Sequence, residues 1–236
     1  MKILISLISI VIVVIIIIGC NSNNTTETHV VVIRDITDAQ LSQPKSEDIT
    51  KQFELDNSQW NGAKFRFVDI TNVSYNHTLE ANITSENQWM GNEFDRQKKV
   101  KSFYTEISKI LNEAEKEEIG KDNSSVYVPI ARELNRLSQS TSQRRTMLIY
   151  SDLMENTEEM SLYDTTKLNL LKTNPDLIWK YFNAQVPLQN LDGIKIYLIY
   201  QPPDTGKDGQ YKIVSEFYKD LFESKGATME ITANIN

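Results

Sequence analysis

Cysteine, histidine and glycine are all scarce in this chain of 236 residues, which holds one, two and eight of them. A single cysteine closes no internal disulfide, so a stapled secreted scaffold is excluded. His29 and His77 stand far apart and do not supply a histidine-rich zinc site, so any metal would be held mostly by oxygen. The glycines at 91, 120, 193, 206, 209 and 226 are too dispersed, or in the wrong context, for either nucleotide-binding loop. No serine sits in a nucleophile elbow, and neither histidine has a sequence-level partner. Positive charge is short as well: 25 Lys and Arg against 32 Asp and Glu give a net charge of -7. With no basic block, the chain has no footprint for a phosphate backbone, and nucleic acid is not an expected partner. What remains, 40% of it apolar, suits one globular domain.

The apolar residues are unevenly spread. Ile3 to Ile18 is almost wholly aliphatic, broken only by Ser6 and Ser9, after a basic start at Lys2. A run this short, ending in a small residue and followed by Asn21-Ser22-Asn23-Asn24, reads as a secretory signal and not as a membrane span, which needs about 20 apolar residues. Ile17-Ile18-Gly19-Cys20 resembles a bacterial lipobox. The resemblance implies cleavage after Gly19, acylation of Cys20 with diacylglycerol and palmitate-type chains, and stable attachment to a membrane leaflet. It leaves no free thiol and no thiol catalysis. No aspartate of the kind that retains lipoproteins at an inner membrane follows the cysteine, so in a two-membrane cell the outer membrane is the expected address. The implied organisation is a signal over residues 1–19, a polar tether over 20–28 and a folded domain over 29–236.

Within that domain, Val30-Val31-Val32-Ile33 is a β-branched run typical of a strand covered on both faces. Residues 64–70, 146–150 and 194–200 read as further strands, 73–83 as an extended or edge strand, and 228–235 as a final edge strand. Apolar positions 100, 103, 104, 107, 110, 111 and 114 repeat at helical spacing, as do 126, 130, 134 and 137, and 214, 217, 218, 221 and 222. Pro129 is tolerable in a first turn, and Gly226 closes the last helix. Residues 164–183 predict a helix broken at Pro175. Residues 39–62 are least patterned and predict a surface insertion with a short helix near 46–55. Strands alternating with helices predict an α/β fold, a doubly wound and mostly parallel sheet covered on both faces. In such sheets the functional rim lies beyond the carboxyl ends of the strands.

Three segments deliver oxygen to that rim. The first strand runs into Arg34-Asp35-Ile36-Thr37-Asp38-Ala39, and residues 146–150 run into Ser151-Asp152. Asp122-Asn123-Ser124-Ser125 precedes a helix. An oxygen cluster of low charge suits Mg²⁺ or Mn²⁺. Here the chain resembles the von Willebrand factor A-type domain and its metal-ion-dependent adhesion site, which places Asp-x-Ser-x-Ser after strand one, Thr in a loop before a helix, and Asp after the fourth strand. Asp35 matches the first acid, Thr37 the first hydroxyl, Ser125 (or Ser124) the loop hydroxyl, and Asp152 the later acid. The resemblance covers residues 29–236 in element order. It implies a binding module that engages a protein partner's carboxylate through a divalent cation, outside the cytoplasm and without catalysis. Ala39 departs from the pattern where a hydroxyl belongs, which leaves a water or Asp38 to replace it.

Plainer readings stand beside this one. Asp35 and Asp152, and Ser124 and Ser125, are ordinary helix N-cap residues. Asp69-Ile70-Thr71 echoes the first motif but reads as coincidence. Trp60 and Trp89 are either peripheral core or a partner contact. A scaffold of the same type with a dead metal site is one alternative. The other is a Mg²⁺-dependent phosphatase resembling the haloacid dehalogenase-like family, with Asp35 as nucleophile and Ser151-Asp152 as its acidic motif. Against that alternative, Thr37 stands where the family's general acid belongs.

Overall fold

The computed structural model describes residues 25–37, 41–70, 77–116 and 124–235. Cys20, Asp38, Ala39, Thr71, Asp122 and Asn123 lie outside the described residues, as does the apolar run before Cys20. The six strands are β1 (Glu27–Asp35), β2 (Gly62–Ile70), β3 (Thr78–Ile83), β4 (Arg144–Tyr150), β5 (Ile194–Ile199) and β6 (Thr228–Thr232). They form one sheet in the order β3-β2-β1-β4-β5-β6, with β3 antiparallel and every other pairing parallel. The expected doubly wound α/β architecture is therefore present. The order reverses between β1 and β4, so the crevice where such sheets take ligands lies at the carboxyl ends of those two strands.

Alternation along the strands explains the two cores. Val30 and Val32 of β1 join Phe65, Phe67, Leu148 and Tyr150 on one face, and Val31 and Ile33 join Val68, Ile70, Met147 and Ile149 on the other. The first face is covered by α1 (Ser46–Lys51) and α2 (Glu93–Ala114). The second is covered by α3 (Tyr127–Ser138), α4 (Thr165–Thr173), α5 (Pro175–Gln185) and α6 (Thr205–Glu223). Pro175 starts α5 and separates it from α4, because its ring fits a first turn but not a helix interior. Gly226, at φ +97°, takes the left-handed turn just past the end of α6. Among the described residues no helix is long and apolar enough to cross a membrane.

Across residues 41–62 the expected short helix is present as α1, but the expected surface insertion is a correction. Ile49, Phe53 and Leu55 are fully buried, and Phe53 meets Phe65 and Phe103 edge-on, with ring centroids 6.4 and 5.1 Å apart. The segment is a lid on the first core, not a surface insertion. Its apolar residues are widely spaced among polar ones and gave no periodicity.

Candidate functional site

Asp35 ends β1 and continues the side-chain alternation of Val31 and Ile33 toward the α3 face. In the parallel register Arg34 lies opposite Tyr150, which sets Asp35 beside Ser151. Ser151 Oγ donates to Asp35 Oδ2 at 2.9 Å. Oδ1 of Asp35 accepts from Thr37 N at 3.0 Å and Thr37 Oγ1 at 2.6 Å. Asp35 and Thr37 are thus brought together, and Ser151, not among the expected ligands, completes the group. Asp152 follows on the same loop, and its Oδ1 accepts from Met154 N at 2.9 Å. The nearest helix begins only at Thr165, so the N-cap reading of Asp152 is replaced by a local turn. Leu153, between Asp152 and Met154, is buried at φ +63°. A branched residue seldom adopts that left-handed conformation, and such strain persists only where surrounding structure imposes it.

The loop before α3 is stitched to the loop after β4. Ser124 N donates to Asn156 O at 2.9 Å, and Asn156 N returns a bond to Ser124 O at 2.8 Å. This places Glu155 against the start of α3, where its Oε2 accepts from Val126 N and Tyr127 N, each at 2.9 Å. Two otherwise orphaned helix donors are satisfied by a carboxylate at the positive end of the helix dipole. Ser124 and Ser125 therefore do not cap α3. Both are buried; Ser124 Oγ has no hydrogen-bond partner, and Ser125 Oγ lies against the Glu155 carboxyl without a well-formed hydrogen bond, as Glu155 Oε1 also lacks one. Buried polar atoms are rarely left so.

Glu155 was invisible in the sequence, since one acid in an unpatterned loop carries no signal. Burial pushes its carboxyl up to about 7, helped by the negative charge of Asp35, while the two amide bonds and the neighbouring Ser125 hydroxyl pull it down. Behind the group stands Tyr218 of α6, fully buried, its hydroxyl unpartnered. Burial holds that phenol far above its ordinary range, and the charges of Glu155, Tyr127, Asp152 and Asp35 add to the effect. Asp152 also faces a cleft lined by Tyr200, Lys207 and Tyr211.

Asp69 belongs to a different system. Arg34 donates to it from Nε at 2.7 Å and Nη2 at 3.0 Å, and to Ala114 O at 2.7 Å, on the α2 face. The echo of the first motif is a buried ion pair. Among the described residues no three His, Cys, Asp or Glu side chains converge as a metal-holding group. A site here would rest on two carboxylates plus hydroxyls. Compared with known proteins, the chain matches no family model and no curated protein.

Proposed function

We propose that this chain is a binding module of the von Willebrand factor A type, tethered outside the cytoplasm through an acylated Cys20, whose rim engages a protein partner through a divalent cation. One observation carries the reading. At the switch point of the sheet, the buried Ser124 hydroxyl has no partner and the buried Ser125 hydroxyl lies against Glu155, whose carboxyl feels the charge of Asp35. Orphaned oxygens next to carboxylates fit a hard cation that prefers oxygen ligands and retains waters. Asp35, Thr37, Ser125 and Asp152 would hold it, with Ser151 orienting Asp35. The cation would supply an open coordination position for an acidic side chain of the partner. Asp35 has both carboxylate oxygens occupied by hydroxyl or amide donors, which favours a ligand-orienting role over that of a phosphatase nucleophile.

Thermal unfolding of residues 20–236 with and without millimolar Mg²⁺ or Mn²⁺ tests the reading, since a ligand of the native state raises its stability by mass action. A rise in Tm that disappears in Asp152→Ala is expected. No rise in the parent protein leaves only a scaffold with a dead site.

A further inference from the structure

The opposite pole of the sheet carries a feature that the rim does not explain. Three of the seven exposed large apolar side chains among the described residues fall within six positions: Trp89, Met90 and Phe94, at 86, 85 and 65% exposure. Their backbone is firmly held. Asn87 Oδ1 accepts from Trp89 N at 2.8 Å, and Asn87 O accepts from Met90 N and Gly91 N at 3.2 and 2.9 Å. Gly91 lies so close to Trp60 that a Cβ there would fall 2.2 Å from the ring. Beneath the turn, Arg96 is fully buried and donates to Gln59 O, Asn61 O, Thr84 O and Glu86 Oε1. A braced turn that holds three apolar side chains, close in sequence, out in water marks a contact surface.

The start of the described chain stands beside it. Thr26 N donates to Asn61 Oδ1 at 3.0 Å, Gly62 N donates to Thr26 O at 2.9 Å, and Glu86 N donates to Trp60 O at 3.0 Å. Cys20 is five residues before Thr25, a reach of at most about 17 Å whatever the path. An anchor on Cys20 therefore holds this pole, and not the rim, against its membrane. The nine residues of β1 separate the two poles by roughly 26 Å.

We propose that Trp89, Met90 and Phe94 form an interfacial patch that seats the domain on the bilayer carrying acylated Cys20, so that the rim faces the aqueous space. The proposal rests on the anchor reading of Cys20. Tryptophan and phenylalanine side chains settle at the boundary of headgroup and hydrocarbon. Lys98 Nζ lies over the Phe94 ring, 4.4 Å from its centroid, and sets a positive charge beside the apolar side chains, where a lipid phosphate can meet it. Three side chains hold a free protein only weakly, and the tether supplies the missing local concentration. With a net charge of -7, insertion and not attraction to anionic lipid drives the contact.

Because Cys20 is the sole thiol, residues 20–236, which contain the whole described fold, can be coupled through it to a maleimide-bearing phosphatidylethanolamine. The vesicles are otherwise phosphatidylcholine, with acyl chains brominated near the carbonyl. Trp89 emission, isolated by subtracting Trp89→Phe, is expected to fall by about half or more and shift to shorter wavelength, as for an interfacial indole. Trp179, which packs on the other core, is expected to keep its own. Unquenched Trp89 in the coupled protein overturns the patch whatever the fate of Cys20 in cells. A concentration-dependent dimer abolished by Trp89→Ser, without quenching, assigns the patch to a second copy and equally overturns it. Metabolic labelling of the full chain with palmitate reads the anchor separately: no label dependent on Cys20 removes the bilayer as occupant.

Discussion

At the amino-terminal pole of the sheet Arg96 is fully buried, and its guanidinium meets three backbone carbonyls and Glu86. At the carboxyl-terminal pole Ser124, Ser125 and Glu155 are buried almost as deeply; Ser124 Oγ has no partner, and neither Ser125 Oγ nor Glu155 Oε1 makes a well-formed hydrogen bond. The first arrangement is complete as it stands and explains itself as structure: a cation on α2 fastens two loops. The second leaves desolvated oxygens uncompensated and adds a left-handed Leu153. Folding alone does not favour such a set, and the pole where it occurs is where ligands enter sheets of this order. Burial of polar groups thus distinguishes a brace from a site only when the partners are counted.

The comparison is sharpest where each pole is broken in turn. Arg96→Met should cost about 3–5 kcal/mol in urea unfolding, because Gln59 O, Asn61 O and Thr84 O lose their donor and Glu86 loses its nearest buried charge. A loss below about 1 kcal/mol would show that water replaces the brace.

Glu155→Gln should separate from the parent by pH. The folded carboxyl, at about 7, lies above its ordinary 4.5, so the folded state holds the proton more tightly than the unfolded one. The associated stability is fully present below about 4.5 and is lost as pH rises through about 7. The amide does not titrate and can still accept from Val126 N and Tyr127 N. The variant should therefore match the parent near pH 4.5 and exceed it by up to roughly 3 kcal/mol at pH 8. A pH-independent difference would mean that Glu155 is ionised throughout.

Ser125→Ala, in metal-free buffer, should change stability by less than about 1 kcal/mol, since the hydroxyl it removes makes no well-formed hydrogen bond to the Glu155 carboxyl beside it. The same variant should lose most of the Tm gained with Mg²⁺. Smallest of all, Trp89→Ser should leave free-protein stability within about 0.5 kcal/mol, because its side chain is almost wholly in water. A large loss there would make the turn part of the core and not a contact surface.

Much of the architecture could be read from residue order. The β-branched and aromatic runs at 30–33, 64–70, 146–150 and 194–199 are strands because both sides of each are covered, and Pro175 divides a helical stretch by simple geometry. Asp35, Ser151 and Asp152 followed from locating strand ends. What escaped was everything that depends on three-dimensional register. Glu155 acts on α3 only because the Ser124–Asn156 bridge brings two loops together. Arg96 sits on a helix otherwise rich in lysine and glutamate, where an arginine reads as solvated. Asp69 read as a coincidental echo of the first motif, which its ion pair with Arg34 bears out, but the partner itself was not legible. Ile49, Phe53 and Leu55 cover the sheet from a segment whose polar spacing hides them.

The cation site is tested most directly by diffraction from crystals of residues 20–236 soaked in Mn²⁺, with anomalous data collected for the metal. The account predicts one anomalous peak per chain, about 2.1–2.3 Å from Ser125 Oγ and within direct or water-bridged reach of Asp35 and Asp152. A map with no peak at the carboxyl ends of β1 and β4, or with manganese bound only at surface carboxylates elsewhere, would contradict it.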